Sequence, residues 1–139
     1  LPWPAKPATF RRDAGHAHAG NSGVFFRALV GTGPQPILGA QQIEIDGGTD
    51  VGGVFVPDGW LFKPSPDQVR RWFRKAEWNA LSIEARGEKI VVKMNGATVT
   101  EYRGSCGHSS GYICFQLPIA NTDTDVYFKD VKIMDLSDR

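Results

Sequence analysis

The sequence has almost no net charge. Sixteen lysines and arginines stand against 15 aspartates and glutamates, leaving +1 with the three histidines neutral. That balance excludes a strongly basic nucleic-acid binder and an acidic tail. Long apolar runs are missing as well. None reaches the roughly 18 residues that a membrane-spanning helix needs, and the best, residues 23–31, is broken by Arg27. Cysteine is scarce: Cys106 lies in a Gly/Ser-rich loop and Cys114 in an apolar run. Their spacing leaves a disulfide and two thiols equally open. A metal on this pair would need two further ligands, and only His108 is near. Long helices are largely excluded, because 16 glycines and 9 prolines punctuate the 139 residues.

What is present suffices for one folded domain. Hydrophobic residues make up 41% of the chain and charged residues 22%, which allows a single core and argues against disorder. The chain opens on Leu1 without the charged-then-apolar start of a signal peptide, so a processed chain or a piece of a longer one is expected. Three prolines in the first seven residues suggest an extended arm, and residues 10–20 show neither helical nor strand period. The expected organisation is an arm or linker over 1–19, a β domain over 20–136 and a tail over 137–139.

Within the domain, short β-branched and aromatic segments alternate with turn signals. Strands are expected at 24–30, 41–46, 51–56, 79–85, 89–94, 97–102, 112–117 and 126–134. Asn95-Gly96 suits a two-residue hairpin turn with two positive φ angles, so the strands on either side pair. Residues 66–75 carry Val69, Trp72 and Phe73 at helical spacing and fit a short helix or an ordered loop equally well. The pattern predicts an all-β fold, an antiparallel sandwich or barrel.

Several motifs invite stronger readings that their context does not support. Gly107-His108-Ser109-Ser110-Gly111 matches G-x-S-x-G, but a strand follows the serine where a nucleophile elbow needs a helix. No histidine lies beyond His108 to complete a triad. His16-Ala17-His18 lacks an evident third metal ligand and reads as a solvated segment. Gly31-Thr32-Gly33 lacks a third glycine and a following helix, and Asp123-Thr124-Asp125 lacks EF-hand spacing; both read as turns. Arg70, Arg71, Arg74 and Lys75 around Trp72 and Phe73 read as arginine stems over aromatics rather than a nucleic-acid patch.

The stripe Gln42, Glu44, Asp46 is more informative. It alternates with Ile43 and Ile45, so three hydrogen-bonding side chains share one strand face. A solvated face and a sugar-binding face fit this pattern equally. Sugars offer hydroxyl edges and CH faces, and Trp60, Trp72, Trp78 and Tyr102 are candidate platforms.

An ordered series of segments resembles the 3-keto-disaccharide hydrolase domain, formerly a domain of unknown function. The series is Gly20-Asn21-Ser22-Gly23-Val24-Phe25-Phe26-Arg27, Gln42-Ile43-Glu44-Ile45-Asp46, Glu77-Trp78-Asn79, Asn95-Gly96, Gly111-Tyr112-Ile113-Cys114-Phe115-Gln116, and Val126-Tyr127-Phe128-Lys129-Asp130-Val131-Lys132-Ile133. The resemblance runs from about Gly20 to Leu136. It implies a concanavalin- or laminin-G-like jelly roll of two curved antiparallel sheets. There are departures. The family's Glu-x-Gln is reversed here to Gln42 and Glu44, and Pro118 stands where the family often has a histidine. The family has several strands before its GNSG motif, and the first 20 residues here do not read as strands. A sheet left incomplete would expose an edge, so a partner chain or second copy completing the sheet, or a truncated domain, is expected.

The resemblance also implies chemistry. A ketone at sugar carbon 3 acidifies the proton on carbon 2; a base removes it, and the enolate expels the substituent on carbon 1. Water then adds to the unsaturated sugar. By resemblance Glu44 is the base, Arg27 or a bound divalent cation steadies the enolate, and His108 replaces the missing acid. Asn21, Gln42, Asp46, Trp60, Trp78 and Gln116 would hold the carbohydrate. Arg27 is expected near Glu44 or Asp46, because a buried cation needs a partner. The alternative is a non-catalytic carbohydrate-binding or assembly module on the same fold. The family is mostly exported in bacteria, which implies a periplasmic or extracellular location.

Overall fold

The computed structural model describes residues 8–14, 21–31, 37–46, 49–105, 107–117 and 124–136. These form strands β1 (Ala8–Ala14), β2 (Asn21–Val30), β3 (Ile37–Leu38), β4 (Gln41–Asp46), β5 (Val54–Val56) and β6 (Gly59–Phe62). Helix α1 (Pro66–Trp72) follows, then β7 (Trp78–Arg86), β8 (Lys89–Met94), β9 (Ala97–Arg103), β10 (Tyr112–Phe115) and β11 (Thr124–Lys129). One antiparallel sheet has the order β11-β1-β7-β8-β9 and the other β10-β2-β4-β5-β6, with β3 on β2. The expected all-β jelly-roll sandwich is the fold, with no closed barrel. Among the described residues no helix is long and apolar enough to cross a membrane.

The core lies where the alternating apolar faces of the two sheets meet. Val24, Phe26, Ile43, Ile45 and Val54 from one sheet pack with Leu81, Ile90, Val92, Met94 and Val99 from the other. Helix α1 seals part of this layer with Val69. Its start follows from sequence: Pro66 stands in the first turn, and Ser65 and Gln68 form a reciprocal capping box. The basic residues Arg70 and Arg71 occupy its exposed last turn.

Four differences from the sequence reading have physical causes. First, the segment expected as an irregular arm contains β1, which pairs with β11 on one side and β7 on the other. In ATFRRDA the alternation of Ala8, Phe10 and Ala14 with Thr9, Arg11 and Asp13 is weak and broken by Arg12, so pairing on both edges secures the strand. Second, β6 and β3 join the second sheet, and of residues 51–56 only Val54–Val56 is strand. Third, the last strand stops at Lys129, because Asp130 takes a left-handed φ of 54° that leaves the ladder. Fourth, β10 pairs with β2 through a bulge at Arg27, whose φ of 55° inserts an extra residue. Residues 1–7, His16, His18, Thr32, Gly33, Cys106, Pro118 and Asp123 lie outside the described residues. The histidine pair, the complete Gly31–Gly33 and Asp123–Asp125 turns and the disulfide therefore lie outside them too. Cys114 is a half-buried free thiol.

The Asn95-Gly96 turn forms as expected, with φ angles of 50° and 89° closing the β8–β9 hairpin. Asn95 also interlocks with Asn79, which is fully buried. Asn79 Oδ1 accepts from Arg74 N at 2.8 Å and from Asn95 Nδ2 at 2.9 Å. Its Nδ2 donates to the carbonyls of Arg74 (2.7 Å) and Glu77 (2.9 Å). Asn95 Oδ1 in turn accepts from Ala80 N at 2.9 Å, and its Nδ2 donates to the Trp72 carbonyl at 2.6 Å. Two side-chain amides thus satisfy the backbone between α1 and β7. Asn79→Ala should cost about 2–4 kcal/mol of unfolding free energy, since several buried backbone groups lose their partners at once. Urea denaturation of wild type and variant measures the loss.

Candidate functional site

Strand β4 is buried on both faces. Ile43 and Ile45 point into the sandwich, while Gln42 and Glu44 are only 5% and 4% exposed on the opposite face. The solvated-face reading of this stripe is thereby excluded. Two glycines make room there. Gly23 on β2 stands opposite Glu44, and a Cβ on it would lie 2.6 Å from Gln42 Nε2. On the other side Glu44 N donates to Gly53 O (3.0 Å), and Gly52 N donates to Glu44 O (2.9 Å). A Cβ on Gly53 would lie 2.7 Å from Trp60 Cζ3. With no side chain on either neighbour, the Gln42 amide fills one flank of Glu44 and the Trp60 ring the other.

The polar atoms are tightly arranged. Gln42 Nε2 donates to Glu44 Oε2 and to Gln116 Oε1, both at 2.8 Å. Gln116 is fixed by its backbone, whose N donates to Gly23 O and whose carbonyl accepts from Ser22 Oγ, both at 2.9 Å. Glu44 Oε1 is buried and has no hydrogen-bond partner among the described residues. Burial, then the neighbouring charges of Asp46 and Asp50, raises the Glu44 pKa from its ordinary 4.5 to about 7; Lys63 opposes the rise. Lys63 Nζ lies 3.2 Å from Asp50 Oδ2 and 4.3 Å from the centroid of the Trp60 ring. Phe55 meets that ring edge-on at 5.2 Å.

Of the residues expected in the site, Gln42, Glu44 and Gln116 are in contact, Asp46 acts on Glu44 through its charge, and Trp60 lies beside it over Gly53. Asn21 is the register partner of Asp46 at the end of the same strands. Three others are elsewhere. Arg27 sits at the bulge with its guanidinium 5.9 Å from the Phe26 ring, and it forms no ion pair among the described residues. Its place on β2 lies beyond the Phe26–Gln41 pair, four residues along from Gly23, the register partner of Glu44. His108 packs on Gly39, where a Cβ would be 2.4 Å from its Nε2, at the beginning of β4 rather than near Glu44. Trp78 is in the other sheet, on the outward face, under Lys129 Nζ at 4.1 Å. Among the described residues no three His, Cys, Asp or Glu side chains converge to hold a metal. The described residues therefore offer no three-ligand set of these types, and no step below uses a divalent cation.

Lys63 and Asp50 were not singled out by sequence. They reach Glu44 through the β4–β5 connection and the end of β6, a convergence that no local pattern announces. The connection is itself fixed, since Thr100 Oγ1 donates to Gly52 O at 2.7 Å in the buried layer.

The Glu44 shift has a consequence for stability. In the folded chain the carboxyl keeps its proton to about pH 7, whereas in the unfolded chain it releases it near 4.5. The folded state therefore binds more protons between those values, and stability falls as pH rises through that window, by about 3 kcal/mol in all. Glu44→Gln removes this dependence. Its stability relative to wild type should improve by up to about 3 kcal/mol between pH 4.5 and pH 8, read from urea midpoints at the two pH values.

Comparison with known proteins agrees with this architecture. A family model described as a 3-keto-alpha-glucoside-1,2-lyase-like domain matches residues 7–134. A crystal structure of a protein from Parabacteroides distasonis ATCC 8503, provisionally assigned as a glycosyl hydrolase, superposes with a TM-score of 0.55. The two are 20% identical, and the match covers 88% of this chain and 73% of that one, a likeness of fold. No curated protein matches the sequence.

Proposed function

This chain belongs to the 3-keto-alpha-glucoside-1,2-lyase-like domain family, and from that membership we propose that it cleaves glycosides whose sugar carries a ketone at carbon 3. The observation that carries the reading is the state of Glu44. One carboxylate oxygen is held by Gln42, and the other, Oε1, is buried and bare. A carboxylate with a pKa near 7 is well matched to proton abstraction at neutral pH.

In this reading the sugar lays a CH face on Trp60, which is 37% exposed. Gln42 spends both amide hydrogens on Glu44 and Gln116, which fixes the carboxylate's orientation. Its carbonyl oxygen and the Gln116 amide then remain for sugar hydroxyls. Glu44 Oε1 takes the proton from carbon 2, and the electron pair moves to the carbon 3 oxygen as an enolate. Collapse of the enolate breaks the bond from carbon 1 to its substituent, which leaves with a proton from solvent. Water adds to carbon 1 of the enone, and the proton returns to carbon 2. The sum is glycoside plus water giving 3-keto sugar plus alcohol. His108 and Arg27 take no part, since neither lies beside Glu44. A periplasmic or extracellular location and assembly through the exposed strands β10 and β11 belong to the same proposal, testable by cell fractionation and by light scattering.

The test is release of nitrophenol from a nitrophenyl 3-keto-glucoside. Wild type should turn over, with a rate that rises through about pH 7 as Glu44 loses its proton. Glu44→Gln should lose about 10²–10⁴-fold in kcat. Trp60→Ala should raise KM about 3- to 10-fold with a smaller change in kcat. Binding of the sugar without release by wild type would instead establish a non-catalytic carbohydrate-binding module.

A further inference from the structure

Abstraction of the carbon 2 proton places a full negative charge on the carbon 3 oxygen, and a site that does this in a dry pocket must supply a cation or strong donors there. Arg27, the cation expected from sequence, is held at the bulge beside Phe26. The positive charge that Glu44 does feel is Lys63. Its ammonium occupies a specific position: over the Trp60 ring at 4.3 Å, tethered to Asp50 at 3.2 Å. A sugar that stacks on the face of Trp60 that the ammonium covers meets it there. Ring and ammonium cannot share it. An arriving sugar must therefore lift Lys63 from the indole, and the side chain is suited to move, being half-exposed and held by an ion pair of modest strength.

We infer that Lys63 is the electrophilic residue of this reaction, displaced from Trp60 by the incoming ring and delivered to the carbon 3 oxygen. This inference rests on the reading of the site given above. Carbons 2 and 3 are adjacent, so a base at one and an ammonium at the other must approach from neighbouring positions, as Glu44 and the Trp60–Lys63 pair do across Gly53. No atom is exchanged with Lys63. It donates a hydrogen bond to the oxygen as the electron pair arrives and withdraws as the enolate collapses. The arrangement also assigns a preference. A sugar with a hydroxyl at carbon 3 offers no developing anion, so it gains nothing from displacing the ammonium. The ketone repays the displacement.

The experiment compares wild type, Glu44→Gln, Lys63→Met and Lys63→Arg on the nitrophenyl 3-keto-glucoside, with a second substrate carrying deuterium at carbon 2. Lys63 is half-exposed, so both substitutions should leave the melting temperature near that of wild type. Lys63→Met should lower kcat about 10²–10³-fold without raising KM, because the lost contact exists only in the transition state. Its deuterium isotope effect should exceed that of wild type, since proton abstraction becomes the slow step. Lys63→Arg should recover part of kcat by restoring the charge. If Lys63→Met keeps kcat within about threefold of wild type while Glu44→Gln is inactive, the assignment of Lys63 is wrong and the reading of the site stands. If wild type itself releases no nitrophenol, the reading of the site fails and Lys63 fails with it.

Discussion

Burial of one carboxylate between two strands that have no side chain opposite it governs this structure. Gly23 and Gly53 open the gap, and Gln42 and Trp60 occupy it from either side. A carboxylate placed so would ordinarily be a liability, because taking its charge out of water is costly. Here a single amide from Gln42 satisfies one oxygen, and among the described residues the other has no partner. The site therefore holds Glu44 in an unfavourable state at neutral pH, and in the proposed reaction that cost is what would make the carboxyl group an effective base. The sandwich tolerates it because the apolar layer beneath, from Ile43 and Ile45 across to Ile90 and Val92, is continuous.

The sequence motifs that mark the family divide into two physical kinds. Asn79 and Asn95-Gly96 hold the backbone between the helix and the first sheet, and they touch no part of the site. Gly23 belongs to both kinds, since its lack of a side chain is needed by Gln42, and Gln42 in turn orients Glu44. Gln42, Glu44 and Gln116 carry the polar chemistry. A match to such a series therefore reports scaffold and site together.

Much of the architecture was legible because it is local. The Asn-Gly turn and the alternation of β4 each act over a few residues. What escaped is what pairing decides. The first strand has only a weak alternation, broken by Arg12, and is secured by neighbours that hydrogen-bond to both its edges. The bulge at Arg27 adds one residue to β2 opposite β10, which no local pattern announces, and the register leaves Arg27 four residues along from the partner of Glu44. Trp78 shares parity with Ser82 and Glu84, the outward residues of its strand, so the alternation of β7 itself sets it on the outer face. Lys63 and Asp50 gave no signal, since an exposed lysine and an aspartate in a connection resemble many others until the register brings them together.

The main chain of Glu44 is held on one side by Gly52 and Gly53, and Gly52 is held in turn by Thr100. In the proposed reaction a base on so fixed a main chain would have little freedom to follow its target. The handedness of the sugar then matters. Epimers at carbon 2 present their proton to opposite faces of the ring, and under the proposed stacking on the indole a carboxylate so placed would meet only one of them. Stereochemical selection would come from the stiffness of a sheet, with no contact devoted to it.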